Sequence, residues 1–129
     1  MKSKCQECGS TEDLKIDKKD NAVLCSKCFY YRLLREDYEK GDKNAVAIMN
    51  ILKHYYPQDI SKQKNLMMAI FEMIDNAEPT IYKDVKTVSI DTAKLLEIAR
   101  KWRVTDAILM EMLKAELPQF FFQQPNYGG

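Results

Sequence analysis

One histidine, one tryptophan, four glycines and four prolines are all that 129 residues supply of those types. With His54 as its only imidazole, the chain has no Cys/His or Ser/His/Asp set to activate a nucleophile. His54 itself falls late in a predicted helix beside Tyr55 and Tyr56, where a packing or surface role is the default. The scattered glycines form no phosphate-cradling loop. No apolar run approaches the roughly 20 residues that cross a bilayer, and no apolar segment of signal-peptide type follows Met1. The sequence therefore predicts an intracellular protein with no membrane partner. An excess of one charge is missing as well. Lys and Arg total 20 against 19 Asp and Glu, a formal net charge of +1. Dedicated nucleic-acid binders commonly carry a basic excess, so any such contact here needs a local patch. Together these absences predict a non-enzyme.

Against that background, the four cysteines stand out. They form two pairs, Cys5-x-x-Cys8 and Cys25-x-x-Cys28, with sixteen residues between the pairs. Two intervening residues let one turn of backbone aim both sulfurs at a single ion, and the long spacer suffices for a hairpin that returns the second pair. Without an export signal, metal is favoured over disulfides. The expectation is one Zn²⁺ held by Cys5, Cys8, Cys25 and Cys28. Four thiolates close the tetrahedral shell and leave no site for water, so the ion is structural. A module this short buries little core, and metal binding would supply on the order of 10 kcal/mol of its folding free energy.

The pattern around the cysteines predicts the rest of the module. Gly9 can take the positive φ of a tight knuckle. Leu14 and Ile16 alternate with polar residues, Val23-Leu24 is the returning strand, and Lys18-Lys19-Asp20-Asn21 is the turn between them. Phe29/Leu33 and Tyr30/Leu34/Tyr38 recur at helical spacing, and Gly41 is a plausible stop. A helix directly after the second pair resembles the treble-clef class of zinc fingers. Cys5-x-x-Cys8-Gly9-Ser10-Thr11-x-x-Leu14-x-Ile16-Asp17 with Leu24-Cys25-x-x-Cys28 is similar to the scaffold of HNH-type nucleases. Leu24-Cys25-x-x-Cys28 followed by Tyr30-Tyr31-Arg32 also resembles the second half of a GATA-type DNA-binding finger. These likenesses cover the first third of the chain and imply the finger's fold. The nuclease family's catalytic histidine is replaced by Asp17-Lys18-Lys19, and the GATA-type Trp-Arg is absent.

The remaining residues predict a small helical domain over 42–118, after a finger over 1–41 and before an aromatic tail over 119–129. Asp42 caps a helix carrying Ala45, Ile48, Met49, Leu52 and Tyr56, ended by Pro57. Ser61 is the candidate cap of a central helix along Met67, Ile70, Phe71 and Ile74, broken by Pro79. Residues 80–90 read as a loop or small hairpin. Ser89 or Asp91 caps a helix with Leu95, Ile98, Ala99 and Trp102, and Thr105 caps a last one with Ile108, Leu109, Met112 and Leu113. Residues 95–113 also fit a helix-turn-helix pattern in which Arg103 replaces the usual turn glycine. The outward residues of the second helix of that pair, Asp106, Ala107, Met110, Glu111 and Lys114, are poorly suited to reading bases. The fold class is thus mainly α, with a treble-clef finger and a candidate helix-turn-helix.

Two functions follow. In the first, a small regulator of transcription type binds nucleic acid through Lys18, Lys19, Lys27, Arg32 and Arg35 of the finger, which offer phosphate contacts. In the second, the finger and the Met- and Phe-rich helices grip a protein partner as an adaptor or inhibitor. Phe120-Phe121-Phe122 either folds back on the core or docks on that partner.

Overall fold

A computed structural model of the chain describes residues 3–122. It is mainly helical, with two small antiparallel hairpins. The chain divides into two compact units, Met1–Met67 and Met68–Gly129.

The first unit opens with the cysteine knuckle and a hairpin of β1, Leu14–Asp17, and β2, Ala22–Cys25. Leu14 pairs with Cys25 and Asp17 with Ala22. The turn between the strands closes because Asp17 Oδ1 accepts the Lys19 N–H at 3.0 Å and Asn21 takes a left-handed φ of 58°. Helix α1, Ser26–Glu39, follows without a break, with Cys25 as its N-cap residue. Its buried residues Cys28, Tyr31 and Leu34 lie at i+3 steps. The helix therefore begins before Phe29, and Cys28 sits in its first turn. Gly41, at φ 82°, serves the expected stop.

Helix α2, Lys43–Tyr55, starts where Asp42 accepts the Ala45 N–H at 3.0 Å, as its sequence predicts. Helix α3, Ile60–Asn76, starts two residues earlier than a cap at Ser61 allows. The cap is Asp59, whose carboxylate accepts the Lys62 N–H at 3.0 Å. Leu66, Met67, Ala69, Ile70 and Met73 of α3 are fully buried, which explains its broad apolar stripe. The division between the two units falls within this helix.

In the second unit, residues 80–90 prove to be part of a hairpin, β3 Glu78–Tyr82 and β4 Val85–Ser89. Pro79 lies inside β3, and α3 has already ended at Asn76. Proline is tolerated there because a two-stranded sheet has only edge strands. Helix α4, Thr92–Trp102, is capped by Asp91 rather than Ser89, and α5 spans Asp106–Ala115. Between them Arg103 adopts the left-handed conformation, φ 54° and ψ 45°, that a turn glycine would normally take. A 3-10 turn, Leu117–Phe120, follows, with Leu117 buried and Phe120, Phe121 and Phe122 half-buried. Residues 123–129, including Tyr127 of the aromatic tail, lie outside the described residues. Among the described residues, no helix is long and apolar enough to cross a membrane.

Candidate metal centre

The knuckle is built by its own backbone. The Cys5 N–H donates to Ser10 O at 2.7 Å, and the Gly9 N–H donates to Cys5 O at 2.9 Å, with Gly9 at φ 81°. Its Cys8 N–H points at the Cys5 sulfur, 3.5 Å away. The Gln6 N–H donates to Val23 O at 2.8 Å and so pins the knuckle to β2. From the other side, β2 ends at Cys25, and the first turn of α1 carries Cys28 on the same side as the knuckle. Free N–H groups of a helix start favour negative charge, which suits a thiolate placed there.

All four Sγ atoms lie within 4.8 Å of one another, and Cys8 Sγ is 3.5 Å from Cys25 Sγ. Zinc bonds of about 2.3 Å in a tetrahedron set sulfur–sulfur edges of about 3.8 Å, so the tetrad has the size and donor chemistry of a tetrathiolate zinc site. Each cysteine is a free thiol, with no disulfide competing for the sulfurs. Cys5, Cys25 and Cys28 are buried with Ala22 and Leu24, and Leu14 and Phe29 pack against this cluster. Cys8 alone is exposed. Burial pushes the Cys28 thiol far up, with the Lys64 ammonium pulling in the opposite direction. Burial also raises Cys5, but backbone groups of Cys25, Cys8 and Glu7 outweigh it and leave that thiol lowered to about 6. A zinc ion held by these four sulfurs would favour the thiolate form of each.

Around the tetrad runs a net of ion pairs. Arg32 of α1 donates to Asp17 at 3.1 Å, to Asp20 at 2.9 Å and to Glu7 at 3.3 Å. Asp17 is buried and its carboxyl is held below the usual range, first by the Lys19 backbone N–H and then by Arg32. Lys19 pairs with Glu36. Lys27 donates to Asn65 Oδ1 at 3.0 Å. Lys18 is exposed in the hairpin turn, and Arg35 is exposed on α1. Of the five basic residues proposed for phosphate contact, Lys19 and Arg32 are thus bonded to carboxylates and Lys27 to an amide. A cavity of about 390 Å³ beside them is lined by Arg32, Arg35 and Lys64 but also by Glu7, Glu36 and Glu39, so its walls carry both signs.

Lys64 is a site residue that the sequence does not reveal. Its Nζ lies 3.2 Å from Cys28 Sγ although 36 residues separate them. Gln63-Lys64-Asn65 reads locally as an ordinary polar stretch of helix, and no spacing rule links it to a distant cysteine pair.

A comparison with known proteins returned no matching family model, no matching curated protein and no matching solved structure. Fold and site by themselves define the class, a mainly helical protein with a tetracysteine zinc centre.

Proposed function

We propose that this chain is a zinc-stabilised protein-binding adaptor, with its N-terminal module a treble-clef finger and with no catalytic activity of its own. The order of knuckle, hairpin and helix, with the second cysteine pair at the helix start, supports the treble-clef reading. One observation favours a protein partner over nucleic acid: two of the five basic residues proposed for phosphate contact, Lys19 and Arg32, are already paired with carboxylates of the finger. Arg32 faces three carboxylates and Lys19 faces Glu36, so a phosphate would have to displace bonds already made. The four thiolates and Zn²⁺ would shift formal charge by about two units further towards negative. Apolar surface suited to a protein partner is concentrated on the β3–β4 hairpin, where Ile81, Tyr82 and Val85 are 62%, 68% and 59% exposed.

Fluorescence anisotropy with labelled duplex DNA and single-stranded RNA, each at low and physiological salt, tests this reading. The expected result is no saturable binding at physiological salt. Salt-dependent binding that is lost on replacing Lys18, Lys19, Arg32 and Arg35 by Ala would instead establish the nucleic-acid regulator. In a nuclease-treated pull-down, a protein retained by the wild type should be lost with an Ile81→Asp/Tyr82→Ser variant of unchanged helical circular dichroism.

A further inference from the structure

Three consecutive residues at the start of α3 each bond a residue near the start of α1. Tyr31 Oη donates to Gln63 Oε1 at 2.6 Å, Lys64 Nζ donates to Cys28 Sγ at 3.2 Å, and Lys27 Nζ donates to Asn65 Oδ1 at 3.0 Å. Gln63 also donates to Tyr56 O at 2.6 Å, which fixes its amide. The middle bond reaches the metal centre itself.

We propose that Lys64 is an outer partner of the zinc site, donating an N–H to the Cys28 thiolate and cancelling one of the two negative charges that four thiolates leave around Zn²⁺. The inference depends on the reading that the four cysteines hold zinc. Its first support is placement. The Lys64 side chain is only 15% exposed, and an ammonium withdrawn from water to that degree needs compensating charge. Glu7, at 3.8 Å, supplies part of it. The nearer neighbour is sulfur, and a thiol offers an ammonium little, whereas a metal-bound thiolate is a strong acceptor. Its second support is order. The Tyr31 ring lies under the ammonium at 5.6 Å, and the bonds on either side, Tyr31–Gln63 and Lys27–Asn65, hold α3 so that Lys64 meets Cys28 and no other cysteine within hydrogen-bond reach. Third, the chemistry has a purpose. A tetrathiolate site is electron-rich and self-repelling, and hydrogen bonds to its sulfurs disperse charge, much as outer partners orient and tune the ligands of other metal sites.

The experiment measures zinc affinity by competition with a chromophoric chelator, and the sulfur-to-metal charge-transfer band after substitution with Co²⁺. Wild type, Lys64→Met, Lys64→Arg and Asn65→Ala are compared. Lys64→Met should weaken zinc binding by roughly 10- to 100-fold, the usual range for loss of an outer partner, and should move the charge-transfer band. Lys64→Arg, which keeps a charged donor, should recover most of both. Asn65→Ala breaks the neighbouring bond without touching sulfur, so it should leave the band in place and affinity within a fewfold of wild type. Equal affinity for Lys64→Met and wild type would overturn the role assigned to Lys64 while leaving the zinc reading intact. An equal loss in Asn65→Ala would overturn it too, because the effect would then be general to the α1–α3 bonds. A wild-type protein that binds no zinc under reducing conditions would overturn both readings at once.

Discussion

Tyr31 shows how a single residue can tie stability to pH at a distance from the metal. It is buried, and its hydroxyl is bonded to an equally buried Gln63. Burial raises its ionisation above the ordinary value of 10.0, with the Arg35 and Lys64 charges opposing that shift. Neutral tyrosine is therefore the form that the fold favours. Its contribution is fully present below pH 10, the unfolded value, and is lost as pH rises through the higher folded value. Tyr31→Phe removes the donor and leaves the Gln63 oxygen unsatisfied, which should cost about 1–3 kcal/mol at neutral pH. The gap between wild type and variant should narrow above pH 10. Denaturant unfolding at pH 7 and pH 11, with ultraviolet titration of tyrosinate to identify the late-ionising ring, measures both effects. A gap that stays constant across that range would mean that Tyr31 ionises as freely in the folded state as in the unfolded one.

At the scale of the element, the β3–β4 hairpin carries a conflict between turn and sequence. Its two-residue turn, Lys83-Asp84, holds both residues at positive φ, 48° and 66°. That is the geometry of a type I′ turn, which usually carries Asn-Gly or Asp-Gly because side chains resist the left-handed region. Lys-Asp gives no such signal, and this is why residues 80–90 read equally as loop or hairpin. Asp84→Gly should relieve the strain and stabilise the protein by about 0.5–1 kcal/mol, after allowing for the greater freedom of glycine in the unfolded chain. A thermal melt would show it as a rise in midpoint, and a fall would indicate that the Asp84 carboxylate contributes more than its backbone costs. Helix starts behave differently. Asp42 and Asp91 cap α2 and α4 through bonds spanning three residues, so a local pattern foretells them, while Asp59 displaces Ser61 at α3 by the same short-range competition.

In the whole molecule, the cysteine tetrad belongs to one of the two compact units. The tetrad and its bonds to α3 belong to the unit Met1–Met67, whereas β3, β4, α4 and α5 belong to Met68–Gly129. The second unit has bonds of its own, such as Trp102 Nε1 to Glu72 at 3.1 Å, and a buried set that includes Leu95, Ile98, Leu109 and Met112. Chelating the zinc, or replacing Cys25 by Ser, should therefore raise amide hydrogen exchange over residues 5–39 and over 60–67, with protection retained over 92–115. Exchange that rises equally in both regions would mean that the two units unfold as one. The zinc tetrad was legible in the sequence because knuckle, hairpin and helix start are local: Gly9, the two-residue gaps and the sixteen-residue spacer bring the sulfurs together with little help from elsewhere. Helical faces such as Ala45, Ile48, Met49 and Leu52 were legible for the same reason, since a period of 3.6 residues is written directly into the chain. The fate of the polar residues was not. Arg32 could be named from the sequence as a candidate phosphate contact, but its bonds to Glu7, 25 residues away, and to two hairpin aspartates could not. Lys64 looked like a solvated helix residue until the packing of α3 brought it to Cys28. Charge partners are chosen by proximity in space, which sequence spacing does not encode. The sequence alone determined that these four cysteines could hold one zinc ion, and only the tertiary structure decided which charges surround it.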